Sequence, residues 1–377
     1  MLNQNLLQIF RQTEFWPAQL RFARPQWISG ISGSSRALLA AALYQEKSDS
    51  VLLLTSTESE SRAILNDLQN LLPEEALGYF PVNQLLPYHI LASGRENLTF
   101  RLKVLSKSEQ PLVIVASWEG LLRRLTPPEI FRRSFITLQT GQQIDPHQLR
   151  WQLVNLGYEA VSLVEGKGQF SFRGGIVDIF PAENPEAFRL EFFDNEIDTI
   201  RTFSPDSQRS LDNCSQIQIG PATELILTPE SRERGRQALQ QAFAEQINKL
   251  SQNSETRLYL EEYQQEVRQQ LEENLGALEQ FLPYFYPQPI SLLDYLPKST
   301  LIILDEPNRI QETHQAIFKE RTCIYTDLIE QGKILPQQWH GYWEENELKN
   351  SFLPHRIIAL SQLPGRQKKK KNVEYLN

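Results

Sequence analysis

A glycine-rich stretch near the amino terminus, reading GISGSSRA from Gly30, has part of the pattern of a loop that holds nucleotide phosphates. In G-x-x-x-x-G-K-[ST], the second glycine lets backbone N–H groups wrap the phosphates, the lysine reaches the outer phosphates and the hydroxyl holds magnesium. Gly33 keeps the loop glycine-rich. Ser35, however, replaces the second glycine, Arg36 replaces the lysine, and Ala37 replaces the hydroxyl residue. A planar guanidinium is not equivalent to an ammonium, so we expect a degenerate, inactive nucleotide loop.

An acidic pair, Asp305 and Glu306, follows the apolar run LIIL. Acidic residues at a strand end position magnesium and water in many NTPases. Next to a degenerate phosphate loop, such a pair has nothing to act on. We favour an ordinary polar strand end, and a vestigial acidic motif is the alternative.

Other catalytic patterns are missing from the sequence. The five histidines show no close ligand spacing, and the patterns H-E-x-x-H, C-x-x-C and G-x-S-x-G do not occur. We therefore assign no catalytic residue and expect no metal site.

The run FRLEFF, from Phe188 to Phe193, has a period of two that is typical of a strand. It places Arg189, Glu191 and Phe193 on one face and apolar residues on the other. An arginine beside an exposed aromatic is typical of a binding hot spot. Alternatively, a neighbouring loop covers Phe193, and the strand pattern alone leaves both interpretations open.

Composition indicates a soluble, cytoplasmic chain of two or three domains. The 377 residues carry 46 acidic and 38 basic side chains, for a net charge of -8. This net negative charge argues against a protein that binds nucleic acid over its whole surface. The two cysteines, Cys214 and Cys323, are far apart in sequence, which favours a reducing compartment. No apolar run is long enough to span a membrane.

The spatial arrangement of these residues depends on the strands and helices that carry them. Continuous apolar runs at residues 51–55 and 112–116, with a helical pattern at 59–72 between them, predict βαβ units with a parallel sheet. After Pro127 the strands alternate and follow one another closely, which predicts a small α+β insertion. Thr228 and Pro229 predict the start of a helix, and two long helices are expected. The run beginning at Leu301 would then rejoin the first sheet.

The predicted division is as follows: residues 1–126 form the first part of an α/β domain, 127–213 an inserted α+β domain, 214–330 the second part of the α/β domain, and 331–377 an irregular tail. The lysine run 368–371 near the end of the chain is interpreted as a solvated, disordered segment.

Several motifs together resemble the amino-terminal part of the bacterial transcription-repair coupling factors (Mfd). They are the degenerate loop, the YFP sequence at residues 79–81, residues 95–102, the IVAS sequence at 114–117, FRGGIVDIFP at 172–181, RLEFFDNEID at 189–198 and FSPDSQR at 203–209. The resemblance runs from about residue 10 to 330 and is most specific in the middle region. It implies a degenerate RecA/helicase-like parallel-sheet domain with an inserted small α+β domain that binds UvrA.

The resemblance implies that three residues contact UvrA, because they stand in matching motif positions. They are Arg173, Arg189 and Phe193. It implies that the arginines pair with carboxylates of UvrA and that Phe193 fills an apolar pocket. ATP and magnesium act in full-length relatives through motor domains, and RNA polymerase and DNA bind through further domains. None of those motifs is in this sequence. We therefore expect a non-enzymatic fragment without a cofactor, with weak or no DNA binding, and monomeric.

The same region is similar to UvrB, the damage-recognition subunit of the excision nuclease, which gives an ATP-dependent alternative. UvrB-like proteins keep an intact phosphate loop and carry an aromatic-rich hairpin that inserts into DNA. Here residues 79–101 are too short for that hairpin and hold only four aromatics. Both departures favour the coupling factors.

Overall fold

The computed structural model describes residue 7 and residues 26–47, 49–83, 95–251, 254–273 and 278–363. The lysine run 368–371, and residues 84–94 of the region compared with the UvrB hairpin, lie outside the described residues.

Fourteen strands are seen in the described part of the chain. They are β1 (Gln26–Ser29), β2 (Val51–Thr55), β3 (Leu77–Phe80), β4 (Val113–Ser117), β5 (Ile136–Gln139), β6 (Glu159–Ala160), β7 (Gln169–Arg173), β8 (Ile176–Phe180), β9 (Ala187–Phe193), β10 (Glu196–Phe203), β11 (Ser210–Cys214), β12 (Gln216–Ile219), β13 (Leu301–Asp305) and β14 (Arg356–Ser361).

The α-helices of the same residues are α1 (Ser35–Lys47), α2 (Glu58–Gln69), α3 (Arg95–Ser106), α4 (Trp118–Leu121), α5 (Pro128–Arg133), α6 (Pro146–Asn155), α7 (Pro229–Asn248), α8 (Glu255–Glu273), α9 (Leu282–Phe285), α10 (Leu292–Tyr295), α11 (Pro307–Glu330) and α12 (Glu345–Phe352). Short 3-10 helices lie at Glu74–Ala76, Leu278–Phe281 and Pro336–Gly341.

A six-stranded parallel sheet, in the order β1-β14-β13-β2-β4-β3, is the main layer of the fold. Strands β2, β3, β4 and β13 are buried along their whole length, and successive residues of β2 enter two different cores. Leu52 and Leu54 of β2 pack in one core, whereas Val51 and Leu53 pack in the other, with α1 and α2. The predicted α/β fold class is confirmed.

The second sheet is inserted between β4 and β13 and has the order β11-β10-β9-β8-β7-β6. It is a meander whose pairs are antiparallel except for β6 with β7. One face packs on α6 through Leu149 and Leu153. Before and after it, β5 and β12 pair with each other as an antiparallel ribbon, with Ile136 opposite Ile219.

The two long helices α7 and α8 pack together through Leu239, Phe243 and Leu260. The predicted start of α7 is confirmed: Thr228 caps the helix, its side chain accepts from the N–H of Ser231, and proline takes the first turn.

Two predicted boundaries need correction. The predicted end of the insertion at residue 213 falls inside β11 and before β12, whose pairing with β5 extends the insertion to Ile219. The predicted irregular tail from residue 331 contains α12 and β14. β14 lies between β1 and β13, inside the parallel sheet. The apolar stretch Ile357–Leu360 is as long as the run that predicted β13, but the prediction treated the whole segment after residue 331 as irregular, and only the pairing with β1 and β13 places it in the sheet.

Candidate functional site

The degenerate loop connects β1 to α1, and its side chains form hydrogen bonds with its own backbone. Gly30 and Gly33 have positive φ angles of 85° and 54°, which favour glycine. The Ser35 hydroxyl donates to the Ser32 carbonyl at 2.5 Å and accepts from the Ser32 N–H at 3.1 Å. Ala37 is fully buried in the core against the sheet. A backbone N–H of this loop is therefore held by a serine of the same loop.

Arg36 extends from this loop to the acidic strand end. Its Nε donates to the Gly33 carbonyl at 3.1 Å, and its Nη1 donates to Oδ2 of Asp305, which is 269 residues away in sequence. Asp305 is buried at the end of β13, and burial raises the pKa of its carboxyl group, whereas the charge of Arg36 opposes that shift. A guanidinium thus neutralises the carboxylate beside the loop.

Glu306 takes the left-handed conformation, with φ of 54°, as the residue before α11. Its N–H donates to the Leu360 carbonyl at 3.0 Å, and its carboxylate accepts from the N–H of Gln362. Glu306 therefore ties the end of β13 to β14. Sequence reasoning named the loop and the acidic pair separately, and the structure brings Arg36 and Asp305 together.

Two tight turns set the geometry of the second candidate site, on the antiparallel sheet. Gly174, with φ of 61°, and Gly175 join β7 to β8. A Cβ on Gly175 would lie 2.9 Å from the carbonyl oxygen of Phe192, so the turn needs glycine to approach β9. At the other hairpin, Asp194 has φ of 51° and reverses the chain from β9 to β10. These turns place the ends of β7 and β9 at the same end of the sheet.

Asp178 of β8 lies at the centre of an ion cluster with Arg173 and Arg189, which we call the Asp178 cluster. Asp178 is the cross-strand partner of Arg189 and its side chain is 0% exposed. Arg189 donates from Nε to Oδ1 at 2.7 Å and from Nη2 to Oδ2 at 3.0 Å. Arg173 donates from Nη2 to Oδ2. Both predicted arginines therefore have an internal carboxylate partner.

Arg189 is held by further contacts at its other side. Its Nη1 donates to the Gln208 carbonyl at 3.1 Å, and its guanidinium lies 4.9 Å from the centre of the Phe203 ring. The hydrogen bonds with Asp178 raise the pKa of Arg189 above its ordinary value. Its side chain is 13% exposed, compared with 44% for Arg173.

Phe193 ends β9 and is 76% exposed, beside the Asp194 turn. Phe188 and Leu190 are buried on the opposite face, as the period of two predicted. Of the two interpretations of Phe193, the structure selects the exposed aromatic over the one covered by a loop.

A loop covers the other end of this outer face. Val164 packs with Ala187 and Phe203 in a small separate core. The amide of Gln208 donates to the Val164 carbonyl at 3.0 Å and helps to hold that loop. The covered end supports Arg189, and the open end presents Phe193.

A second ion pair lies on the same face. Arg201, the cross-strand partner of Arg189, has its Nη1 3.5 Å from Oε1 of Glu191, and its Nε donates to Asn213 at 3.2 Å. Sequence reasoning missed Asp178 and Arg201. The alternation within β8 puts Asp178 on an outer face, but only the register of β8 against β9 identifies its partner.

Within the described part of the chain, no group of three or more His, Cys, Asp or Glu side chains is arranged to hold a metal ion. In the same residues, no helix is both long and apolar enough to cross a membrane.

Comparisons with known proteins agree with this architecture. The family model described as the UvrB interaction domain matches residues 136–225, which contain β5 to β12. The chain is 35% identical over 346 residues to a transcription-repair-coupling factor of Bacillus subtilis (strain 168), covering 90% of this chain and 28% of that relative. It is 30% identical over 308 residues to a transcription-repair-coupling factor of Staphylococcus aureus (strain MRSA252), covering 81% of this chain and 26% of that relative.

The chain thus spans about a quarter of the length of the curated relatives that it matches. These relatives are coupling factors, so the UvrB-like alternative is not favoured. The combination of the parallel-sheet domain, the UvrB interaction domain and this identity agrees with the expected resemblance. These matches support the expected resemblance of the chain to the amino-terminal region of the transcription-repair coupling factors.

Proposed function

We propose that this chain is a non-catalytic module that recruits UvrA for transcription-coupled nucleotide excision repair. The UvrB interaction domain contains the three residues that the resemblance assigns to UvrA contacts, Arg173, Arg189 and Phe193. The observation that carries the proposal is Phe193, a 76% exposed aromatic at the same end of the sheet as the partly exposed Arg173. An exposed aromatic and an arginine on one face of a sheet have the composition of an interface hot spot.

The module acts without a nucleotide of its own. In support, Arg36 neutralises Asp305, the Ser35 hydroxyl holds the Ser32 N–H, and Ala37 has no hydroxyl for magnesium. In full-length members of the family, ATP and magnesium act through motor domains, which move along DNA and displace stalled RNA polymerase. RNA polymerase and DNA bind through those further domains, and this module itself is a cytoplasmic monomer with weak or no DNA affinity.

Measuring the affinity of purified UvrA for the chain and for Phe193→Ala tests this proposal. Truncating an anchor of this kind costs about 2 kcal/mol, which is roughly thirtyfold in affinity. The melting temperature should not change, because the side chain is mostly exposed.

Trp151→Ala is the matched control. Trp151 is an aromatic on α6 that is 67% exposed, so its removal deletes a similar exposed surface in the same inserted region. UvrA affinity should be unchanged in this variant. If UvrA does not bind the chain, the proposed function is wrong, and if both variants bind as the unaltered chain does, Phe193 is not the anchor.

A further inference from the structure

The charge balance of the Asp178 cluster separates its two arginines. Two guanidiniums and one carboxylate leave one positive charge in excess. Arg189 contacts both oxygens of Asp178, and this bidentate pair is the stronger geometry. Arg173 adds a single hydrogen bond to one of those oxygens. The pair of Asp178 and Arg189 is therefore neutral without Arg173.

The accessibility of the two arginines follows the same division. Arg189 is 13% exposed and is also held by Gln208 and Phe203. Arg173 is 44% exposed, at the end of β7 next to the Gly174 turn. The charge in excess thus lies on the arginine that solvent and a partner can reach.

We infer that Arg173 is the cation that contacts an acidic side chain of UvrA, and that Arg189 is a positioning residue that acts by keeping Asp178 neutralised. This inference rests on the proposed function and revises the assignment of Arg189 as a direct contact. Its partner chemistry is a carboxylate that lies next to an apolar pocket for Phe193. When the carboxylate binds Arg173, that arginine leaves Asp178 to Arg189.

Removing Arg189 should therefore act through Asp178. Arg189→Met keeps an unbranched aliphatic side chain but removes the guanidinium that lies over Phe203, and with it the charge. Asp178 then has Arg173 alone, and the cluster has no positive charge in excess. UvrA affinity should fall about tenfold, mainly through a slower and less salt-dependent association rate.

The double variant Arg189→Met/Asp178→Asn should reverse that loss. It removes one positive and one negative charge, so Arg173 again carries the excess charge. We expect affinity and the salt dependence of association to return to within about threefold of the unaltered chain. If Arg189 contacts UvrA directly, the double variant will bind as weakly as Arg189→Met, and the inference is wrong.

Arg150→Met is the control for losing one positive charge from the inserted region. Arg150 is exposed on α6, and its removal should change UvrA affinity by less than about threefold. Thermal melting of every variant checks that the fold is kept.

Arg189→Lys decides the question if the double variant does not fold. Lysine keeps the charge that neutralises Asp178 but cannot form a bidentate contact. A positioning role predicts a loss of less than about threefold, whereas a direct bidentate contact to UvrA predicts a loss of about tenfold or more. If the unaltered chain fails to bind UvrA, the proposed function fails; if it binds and the variants depart from these expectations, only the present inference fails.

Discussion

Arginine pairs with buried aspartate at two places in the described part of the chain, and the two places differ in charge balance. At the carboxyl end of the parallel sheet, one arginine, Arg36, neutralises one aspartate, Asp305. On the antiparallel sheet, Asp178 is shared by Arg173 and Arg189. The first pair has no charge left for a ligand, whereas the second cluster retains one positive charge beside an exposed aromatic. Arginine and aspartate therefore neutralise each other at Asp305, but they leave one positive charge at Asp178.

The surroundings strengthen this difference. Near Asp305, a second pair is also balanced one to one, since Arg309 lies 2.7 Å from Glu60. Near Asp178, a loop covers one end of the sheet and leaves the Phe193 end open. Near Asp305, each of the two arginines has one internal partner, so neither is left to bind a ligand. At the open end of the antiparallel sheet, the unbalanced positive charge favours a partner of opposite charge.

The largest expected effect is on stability, in Asp178→Ala. Removing the carboxylate leaves two arginines without their anion, one of them mostly buried, and breaking such a pair costs about 3 kcal/mol or more. Denaturant unfolding measures the change. The control is Asp198→Ala, because Asp198 is exposed on β10, and a change within about 0.5 kcal/mol is expected there. Equal stabilities of the two variants would show that Asp178 does not hold the sheet.

A smaller effect is expected for Arg36→Ala, about 1 to 2 kcal/mol at pH 7, because Asp305 loses its counter-charge while it remains buried. The pKa of Asp305 is raised in the folded chain, so its contribution to stability falls as pH rises through that range. Without Arg36 the pKa rises further, because the opposing charge is lost. The penalty should therefore be smaller at pH 4 than at pH 7, because Asp305 takes up its proton as the pH falls toward its raised pKa.

Arg309→Ala is the comparison for this variant. Arg309 is more than half exposed in its pair with Glu60, so its loss should cost less than about 1 kcal/mol. A penalty for Arg36→Ala that is the same at both pH values would contradict the role of the Asp305 charge.

The smallest expected effect is that of Mg-ATP on the chain, which should be none. A ligand at 100 times its dissociation constant stabilises a protein by about 2.7 kcal/mol. We expect no shift of the melting temperature and no heat in a calorimetric titration. Arg36→Ala should behave in the same way, because Ala37 still provides no hydroxyl. If Mg-ATP bound Arg36→Ala but not the unaltered chain, the Arg36 side chain would be what prevents nucleotide binding. The absence of the motif's lysine and hydroxyl would then not be the cause.

Much of the fold could be predicted because its signals are local. Buried runs of apolar residues identified β2, β4 and β13, and Thr228 with Pro229 identified the start of α7. In β9, the alternation of side chains placed Arg189 and Phe193 on the face opposite Phe188 and Leu190. β14 was missed although its apolar run is as long as that of β13, because its place between β1 and β13 depends on pairing with strands distant in sequence.

The sequence by itself determined the residue types: a phosphate loop without its lysine and hydroxyl, and a strand with arginine and phenylalanine on one side. Only the tertiary structure decided which charges meet. Arg36 finds Asp305 across 269 residues of sequence, and Asp178 faces Arg189 because the turns fix the register of β8 against β9. Periodicity describes a single element, whereas the balance of charge at a site depends on how separate elements are packed together.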